Sequence, residues 1–231
     1  MLNPLQSIQT TPLSPAVMTD AERLHALFVT HGHCQTFRRN THIYSPGDAP
    51  GQLFLVGQGE VRLSRYSNDG RELTLDVRHG GEIFGENGIL RDSPRGCQAT
   101  ARNDVVIYQL EKAPLFDALA DSPQLTLELT RQMVERQARM EDRLESLVFR
   151  SAQGKVAQML ADLANQYGQP TPAGILIDYP ITHQEIGNLI ATTRETVSYA
   201  FMEFRQAGLI TTQRRRTVVR DMAGLMAMAE A

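Results

Sequence analysis

The segment from Thr193 to Tyr199 concentrates side chains that can hydrogen-bond to the edges of DNA bases. Arginine can donate two hydrogen bonds to guanine O6 and N7, and a carboxylate can accept one from cytosine N4, so Arg194 and Glu195 are candidate base-reading residues. The alternative is that this pair only caps and solvates a helix. Hydroxyl groups complete the set, at Thr193, Thr196, Ser198 and Tyr199.

Two helix starts place these side chains at the reading end of a helix-turn-helix. Thr182 and Glu185 stand three residues apart, which lets each side chain satisfy the other's backbone N–H, and apolar residues follow. Thr192 and Glu195 repeat that spacing before a second apolar period. Because the second helix of such a motif enters the major groove, the spacing predicts sequence-specific binding to double-stranded DNA, with Thr182 and Gln184 as further contacts.

An arginine-rich stretch follows the second helix. Residues 211–220 contain Arg214, Arg215 and Arg216, which predicts a two-stranded wing whose arginines contact phosphates; a solvated charge run is the alternative. From residue 194 to residue 220, six arginines and two acids give a local charge of +4, whereas the whole chain carries −3. A basic end on an acidic body is typical of a DNA-binding module attached to another domain.

The chain before residue 124 has the sequence pattern of a β domain. Leu73, Leu75 and Val77 alternate with polar residues, as a half-buried strand requires, and residues 68–70 (Asn-Asp-Gly) supply a hairpin turn. Closely spaced glycines punctuate the region and predict a sandwich or barrel-like roll. Residues 1–18 carry no hydrophobic period and are predicted to be a flexible arm.

One long helix is predicted to connect the two parts, because no glycine occurs between Pro123 and Gly154. A helix with one apolar seam needs a partner, so we expect a two-fold dimer seam; packing against the chain's own β domain is the alternative. Beyond Gly154 a further helix is predicted, then a loop over residues 169–172 and a strand over residues 175–177. The apolar seam consists of Leu129, Met133, Met140, Leu144 and Leu147.

Composition excludes several classes of protein. The 231 residues suffice for two modest domains, and no apolar run approaches the roughly 20 residues that span a bilayer. The two cysteines, Cys34 and Cys97, are too few for a disulfide framework, and the N-terminus carries no export signal, so a cytoplasmic location is expected. Catalytic signatures such as Gly-x-Ser-x-Gly and His-Glu-x-x-His do not occur, so no enzyme is expected.

Several motifs resemble one family of bacterial regulators. Residues 181–190 (Ile-Thr-His-Gln-Glu-Ile-Gly-Asn-Leu-Ile) and 193–198 (Thr-Arg-Glu-Thr-Val-Ser) resemble the helix-turn-helix of the cyclic-AMP receptor protein and fumarate–nitrate regulator family. Residues 44–48 (Tyr-Ser-Pro-Gly-Asp), 57–61 (Gly-Gln-Gly-Glu-Val) and 81–86 (Gly-Glu-Ile-Phe-Gly-Glu) resemble the family's β-roll motifs.

The resemblance implies an α+β chain in four parts. These are a flexible arm (1–18), a cyclic-nucleotide-binding-like double-stranded β-roll that acts as sensor (19–124), a dimerisation helix (125–150) and a winged helix-turn-helix DNA-binding domain (151–231). It implies a homodimeric transcription regulator that binds palindromic half-sites and contacts RNA polymerase. The family's best-known member has an arginine in place of Tyr199, so we expect a half-site similar to TGTGA but altered at one position.

The resemblance also implies an effector site in the β-roll. Residues 85–88 and Arg95 resemble the family's phosphate-binding cassette, in which the arginine holds a cyclic phosphate and a glutamate accepts from the ribose 2′-hydroxyl. Gly96 stands where the family has a phosphate-binding serine, and Met140 and Glu141 replace a hydroxyl pair that contacts adenine. The residues predicted to bind cyclic AMP or a related small molecule are Gly85, Glu86, Asn87, Arg95, Gly96, Met140 and Glu141.

Other interpretations are open. Glu86 and Arg95 can instead pair only with each other across a turn, and the site can take a different nucleotide or none, which would make the chain an effector-independent regulator controlled by its abundance. No metal or haem is expected, because zinc-type ligands cluster only in sequence, at His31, His33, Cys34 and His42. A protein-binding module without DNA affinity is a further alternative, which salt-dependent duplex binding would exclude.

Overall fold

The computed structural model describes residues 19–213 and 216–230. The flexible arm predicted for residues 1–18 lies outside this range. The helices are α1 Asp20–His31, α2 Glu86–Arg91, α3 Lys112–Asp121, α4 Pro123–Phe149, α5 Ala152–Tyr167, α6 His183–Leu189, α7 Arg194–Gln206 and α8 Met222–Glu230. The strands are β1 His33–Phe37, β2 His42–Tyr44, β3 Gln52–Gln58, β4 Val61–Tyr66, β5 Glu72–Arg78, β6 Ile83–Phe84, β7 Gln98–Ala101, β8 Val105–Glu111, β9 Gly168–Thr171, β10 Gly174–Ile177, β11 Ile210–Gln213 and β12 Arg216–Val219.

The first eight strands form two four-stranded antiparallel sheets, in the orders β1-β8-β3-β6 and β2-β7-β4-β5. Strand β3 is buried on both faces because successive side chains point to opposite sides. Phe54 and Val56 belong to the core between the sheets, whereas Leu53 and Leu55 pack with residues of α1, α3 and α4. The β-rich N-terminal domain, the long helix and the C-terminal helix-turn-helix of the predicted fold class are confirmed.

The predicted hairpin turn joins β4 to β5, and Gly70 adopts a φ of 82°, a conformation that suits glycine. The strand predicted from the alternation of Leu73, Leu75 and Val77 is confirmed as β5, but the alternating burial expected along it is not observed. Thr74 is buried, whereas Leu73 and Leu75 are half-buried. The pairing of β4 with β5 shifts at Leu75, so a β-bulge interrupts the two-residue period on which the prediction relied.

The two halves of α4 have different surroundings. Leu125 and Leu129 are buried against the β domain, and Met133 packs partly on the same core. Met140 and Leu144 are 57% and 63% exposed. The seam predicted from sequence is therefore divided: its first two residues pack inside this chain, as the alternative interpretation held, whereas Met140 and Leu144 remain largely exposed.

The C-terminal domain packs α5, α6, α7 and α8 with a third antiparallel sheet in the order β11-β12-β10-β9. The strand predicted over 175–177 is confirmed, but the loop predicted over 169–172 is wrong, since β9 pairs there with β10. Proline misled the prediction because it cannot donate to a sheet ladder. Pro170 is accommodated on the edge strand, where its missing N–H costs no ladder bond.

Candidate effector cavity and DNA-binding surface

A cavity of about 510 Å³ lies between β5, α2 and the second half of α4. Four of the seven predicted effector residues line it together: Glu86, Asn87, Met140 and Glu141. Leucine and methionine side chains form most of the remaining wall, so the cavity suits a ligand with an apolar or aromatic body. The other lining residues are Leu73, Thr74, Leu75, Leu90, Met133, Arg136, Gln137, Arg143, Leu144 and Leu147.

The polar centre of the cavity is an ion pair between Glu86 and Arg136. The distance from Glu86 Oε1 to Arg136 Nη1 is 2.5 Å, and the two side chains are only 16% and 11% exposed. Arg136 Nη2 also donates to the carbonyl of Ile83 at 2.8 Å. Within the described ranges, Glu86 Oε2 is buried without a hydrogen-bond partner, so it can accept from a ligand hydroxyl.

Arg95 lies behind this cavity rather than on its wall. It is 5% exposed, and its Nη1 and Nη2 donate at 2.6 Å to the carbonyls of Gly85 and Gln52. Its guanidinium also stacks on Tyr44 and Phe54, and burial lowers its pKa. The structure therefore does not form the Glu86–Arg95 pair that the sequence left open.

Gly85 and Gly96 also stand outside the cavity wall. Gly85 has a φ of 87° at the start of α2, and a Cβ there would lie 2.8 Å from Arg95 Nη1, so this position requires glycine. Gly96 is exposed, and its carbonyl accepts from Arg65 Nε at 3.0 Å.

The helix-turn-helix comprises α6 and α7. Thr182 caps α6, and its reciprocal capping box with Glu185 is confirmed. The second predicted box is wrong: α7 begins at Arg194, so Thr193 is the cap and accepts from the N–H of Thr196. Glu195 therefore occupies the second helical position, one residue too early to complete a box.

A close contact fixes the turn between the two helices. The carbonyl of Thr192 would lie 2.8 Å from a Cβ on Gly187, and the N–H of Thr192 donates to the carbonyl of Gly187 at 2.9 Å. Ala191 adopts a φ of 54°, which is strained for a non-glycine residue. The absence of a side chain at Gly187 thus sets how closely the turn follows α6.

The residues predicted to read bases differ in their exposure and in the hydrogen bonds that they make within the protein. Arg194 and Glu195 are exposed at the start of α7, and Tyr199 is 54% exposed. Ser198 is internally bonded, since its hydroxyl donates to the carbonyl of Arg194 and lies 2.9 Å from His183 Nδ1. On α6, Gln184 Nε2 donates to Asn188 Oδ1 at 2.8 Å.

The predicted wing is represented by β11 and β12, which pair through Gln213 and Arg216. Arg214 and Arg215 lie outside the described residues. Arg216 forms an ion pair with Asp178, a partner that sequence spacing did not reveal.

Two further arginines join the β-roll to the helix-turn-helix, and sequence analysis identified neither. Arg102 donates to Glu60 at 2.6 Å, to the carbonyl of Pro180 at 2.7 Å and to Glu185 at 3.3 Å. Arg143 of α4 donates to carbonyls of both domains. The partners are tens of residues apart in sequence, so no local motif could indicate them.

The zinc-type residues near the N-terminus do not converge. His33 and Cys34 lie on β1 in the first sheet, whereas His42 lies on β2 in the second and hydrogen-bonds Thr100. Across residues 19–213 and 216–230, no three His, Cys, Asp or Glu side chains are arranged to hold a metal ion. No helix in those ranges is long and apolar enough to cross a membrane.

Comparison with known proteins agrees with this architecture. Residues 34–122 match the cyclic nucleotide-binding domain family, and residues 154–228 match the Crp-like helix-turn-helix domain family. The CRP-like cAMP-activated global transcriptional regulator of Mycobacterium tuberculosis is 28% identical over 80% of this chain and 83% of its own length. The global nitrogen regulator of Synechococcus elongatus is 29% identical over 80% of this chain and 84% of its own.

Solved structures share the fold. A CooA variant from Carboxydothermus hydrogenoformans superposes with a TM-score of 0.78 at 21% identity, covering 94% of this chain and 98% of that one. A CRP-family transcriptional regulator from Thermus thermophilus superposes with a TM-score of 0.68 at 29% identity, covering 85% and 97%.

A domain of the cyclic nucleotide-binding type joined by a long helix to a helix-turn-helix defines a DNA-binding transcription regulator, not an enzyme. The chain belongs to the cyclic-AMP receptor protein and fumarate–nitrate regulator (CRP/FNR) family.

Proposed function

We propose that this chain is a homodimeric, cytoplasmic regulator whose affinity for DNA is set by cyclic AMP bound in the cavity between the β-roll and α4. One observation carries the proposal: Glu86 and Asn87 meet Met140 and Glu141 around a single cavity, although some fifty residues separate the two pairs. The matched cyclic nucleotide-binding domain and the cAMP-activated relatives support this effector.

The cavity, together with Arg95 behind it, offers a partner for each part of cyclic AMP. Glu86 Oε2 accepts from the ribose hydroxyl, and Glu141 accepts from the exocyclic amine while apolar side chains cover the base. Arg95 holds the phosphate by exchanging its carbonyl partners, Gln52 and Gly85, for phosphate oxygens. Gly96 adds no side chain to this end of the site.

Dimerisation is supported by the outer face of α4. Leu127, Val134 and Val148 are 60–70% exposed and belong to a seven-residue repeat in which Glu141 takes the remaining place. Such a repeat packs against a second copy in a parallel coiled coil. Two copies present two α7 helices to a palindrome, with RNA polymerase as the expected further partner.

Sequence recognition is assigned to the exposed start of α7. Arg194 and Glu195 read bases, and Tyr199 alters the position that an arginine reads in the family's best-known member. The supporting contacts are assigned to Thr182, Gln184, Thr193, Thr196, Ser198, Arg214, Arg215 and Arg216.

Calorimetric titration of the nucleotide-free protein with cyclic AMP tests the effector. We expect saturable binding, and binding about tenfold weaker in Glu86→Gln, because a hydrogen bond to a charged group is worth about 1.5–3 kcal/mol. Glu145→Gln is the matched control, since Glu145 is exposed on α4 outside the cavity. If cyclic AMP gives no binding heat and the protein binds its duplex unaided, the chain is an effector-independent regulator.

A further inference from the structure

Arg143 bonds to the sensor domain and to the DNA-binding domain at the same time. Its Nη1 donates to the carbonyl of Leu75, and its Nη2 donates to the carbonyls of Thr74 and Leu189. Thr74 and Leu75 belong to β5 of the β-roll, whereas Leu189 is the last residue of α6. One guanidinium therefore joins three carbonyls that come from two domains.

These carbonyls need an external donor. The last carbonyls of a helix have no partner within the helix, and the negative end of the helix dipole favours a cation beside Leu189. On β5, the bulge at Leu75 interrupts the ladder with β4. Arg143 thus satisfies the end of α6 and the irregular part of β5 together, which fixes one against the other.

Arg143 also lines the effector cavity. A guanidinium has five N–H donors, and the three bonds to carbonyls leave two. Its Nε–H makes no hydrogen bond to any residue that the structure describes. A ligand in the cavity can therefore engage the side chain that holds the helix-turn-helix.

Among the described residues, the other hydrogen bonds between the domains involve no residue that lines the effector cavity. Asn188 donates to Glu72 at 2.8 Å, and Arg102 donates to Glu185 at 3.3 Å, so α6 is held at three points. None of these four residues lines the effector cavity. Among the contacts in the described residues, the one made by Arg143 connects the cavity directly to α6.

We infer that Arg143 is an effector-binding residue that also positions the helix-turn-helix: an acceptor atom on the effector takes a free N–H of Arg143, and the orientation of α6 responds through Leu189. The inference rests on the proposed function, since it concerns the same cavity. It assigns to the effector a hydrogen-bond acceptor at the end of the cavity near Thr74 and Leu75.

The first test measures the factor by which cyclic AMP raises DNA affinity in the full-length protein. We expect this factor to fall about tenfold in Arg143→Met and to fall equally in Arg143→Lys, because lysine keeps the charge but cannot span three carbonyls. Arg139→Met is the control, since Arg139 lies one turn earlier on α4 and does not line the cavity. An unchanged factor in Arg143→Met, or its full rescue by lysine, would overturn the inference.

The second test needs no effector. Hydrogen exchange of the ligand-free protein should be faster across residues 186–193 in Arg143→Met than in wild type or Arg139→Met, because α6 has lost its tie to β5. If wild type does not bind cyclic AMP, the proposed effector is wrong, and this exchange measurement alone decides whether Arg143 positions α6. Equal exchange rates in Arg143→Met and Arg139→Met would overturn this positioning role.

Discussion

Base reading depends on which side chains of α7 make no hydrogen bonds within the protein and can therefore contact DNA. Ser198 bonds to the carbonyl of Arg194 and to His183, and the neighbouring carboxylate of Glu203 raises the pKa of the Tyr199 phenol. Arg194 and Glu195 are exposed at the N-terminal end. We therefore expect sequence choice to rest first on Arg194, which can contact guanine with two donors.

Arg194→Ala should weaken binding to the specific duplex by about 1–3 kcal/mol and should relax sequence choice at one position. Binding to random DNA should change much less, because phosphate contacts dominate there. Fluorescence anisotropy with specific and random duplexes measures both. Arg205→Ala, an exposed arginine in the last turn of the same helix, is the control. Equal losses on the two duplexes would show that Arg194 does not read bases.

Gly187→Ala should destabilise the DNA-binding domain by about 1–3 kcal/mol, since the added methyl would meet the carbonyl of Thr192 at 2.8 Å. Gly80→Ala is the matched control, because a Cβ there meets its nearest neighbour, the carbonyl of Gly57, at an ordinary 3.6 Å. Urea unfolding of both variants supplies the comparison. A Gly187→Ala protein as stable as Gly80→Ala would mean that the turn relaxes without cost.

Local spacing predicted some residue roles correctly and others wrongly, whereas no spacing indicated the roles that depend on distant partners. The cap at Thr182 lies three residues from Glu185, so sequence alone identified it. Arg136 and Arg143 pair with groups some fifty or more residues away, and their charges resemble those of any solvated helix face. Only the structure shows that both arginines line the effector cavity.

At the scale of elements, α4 combines two apolar stripes. Leu125 and Leu129 face the chain's own core, and Leu127 and Val134 face outward. The seam predicted from sequence, from Leu129 to Leu147, follows the inner stripe alone, because side chains three and four residues apart share a helix face; the outer stripe was missed. Helix α1 was missed although Thr19 and Glu22 form a capping box at its start, a signal that the sequence did carry.

Val134→Glu should convert the proposed dimer to monomers, since a charge would be buried between the outer faces of the two α4 helices. Gln124→Glu adds the same charge at an exposed position in the first turn of α4 and should leave the dimer intact. Sedimentation velocity at micromolar concentration separates the two species. A Val134→Glu protein that sediments like the control would place the dimer contact elsewhere.

The contact between Glu60 and Arg102 should make stability depend on pH. Burial alone would raise the pKa of Glu60, but hydrogen bonds from His79 and Arg102 outweigh it and lower the pKa from 4.5 to about 2. A lowered carboxyl pKa stabilises the fold above the unfolded value, and that contribution is lost as pH falls towards 2.

The melting temperature of Glu60→Gln should therefore be lower than that of wild type at pH 6, and the difference should shrink as pH falls from 4.5 to 2. The Glu60 carboxylate also raises the pKa of His79, so part of the difference should disappear as pH rises above 6.5. A difference that is constant from pH 2 to pH 6 would show that the charge of Glu60 is not what matters.

At the scale of the whole molecule, α6 is the element on which the two domains meet. The β-roll contacts it through Arg102 near its first turn and through Glu72 near its end, and α4 contacts it through Arg143. The order of domains could be predicted from charge and periodicity, because each domain carries its own local pattern. Their mutual contacts depend on side chains from distant segments, so they required the structure.

The affinity of the purified protein for a duplex with two TGTGA-type half-sites, measured with and without saturating cyclic AMP, tests the central claim most directly. A ligand that favours the DNA-binding arrangement can raise DNA affinity by at most the ratio of its own affinities for the two states, and we expect an increase of about tenfold or more. Equal affinity with and without cyclic AMP would contradict control through the cavity.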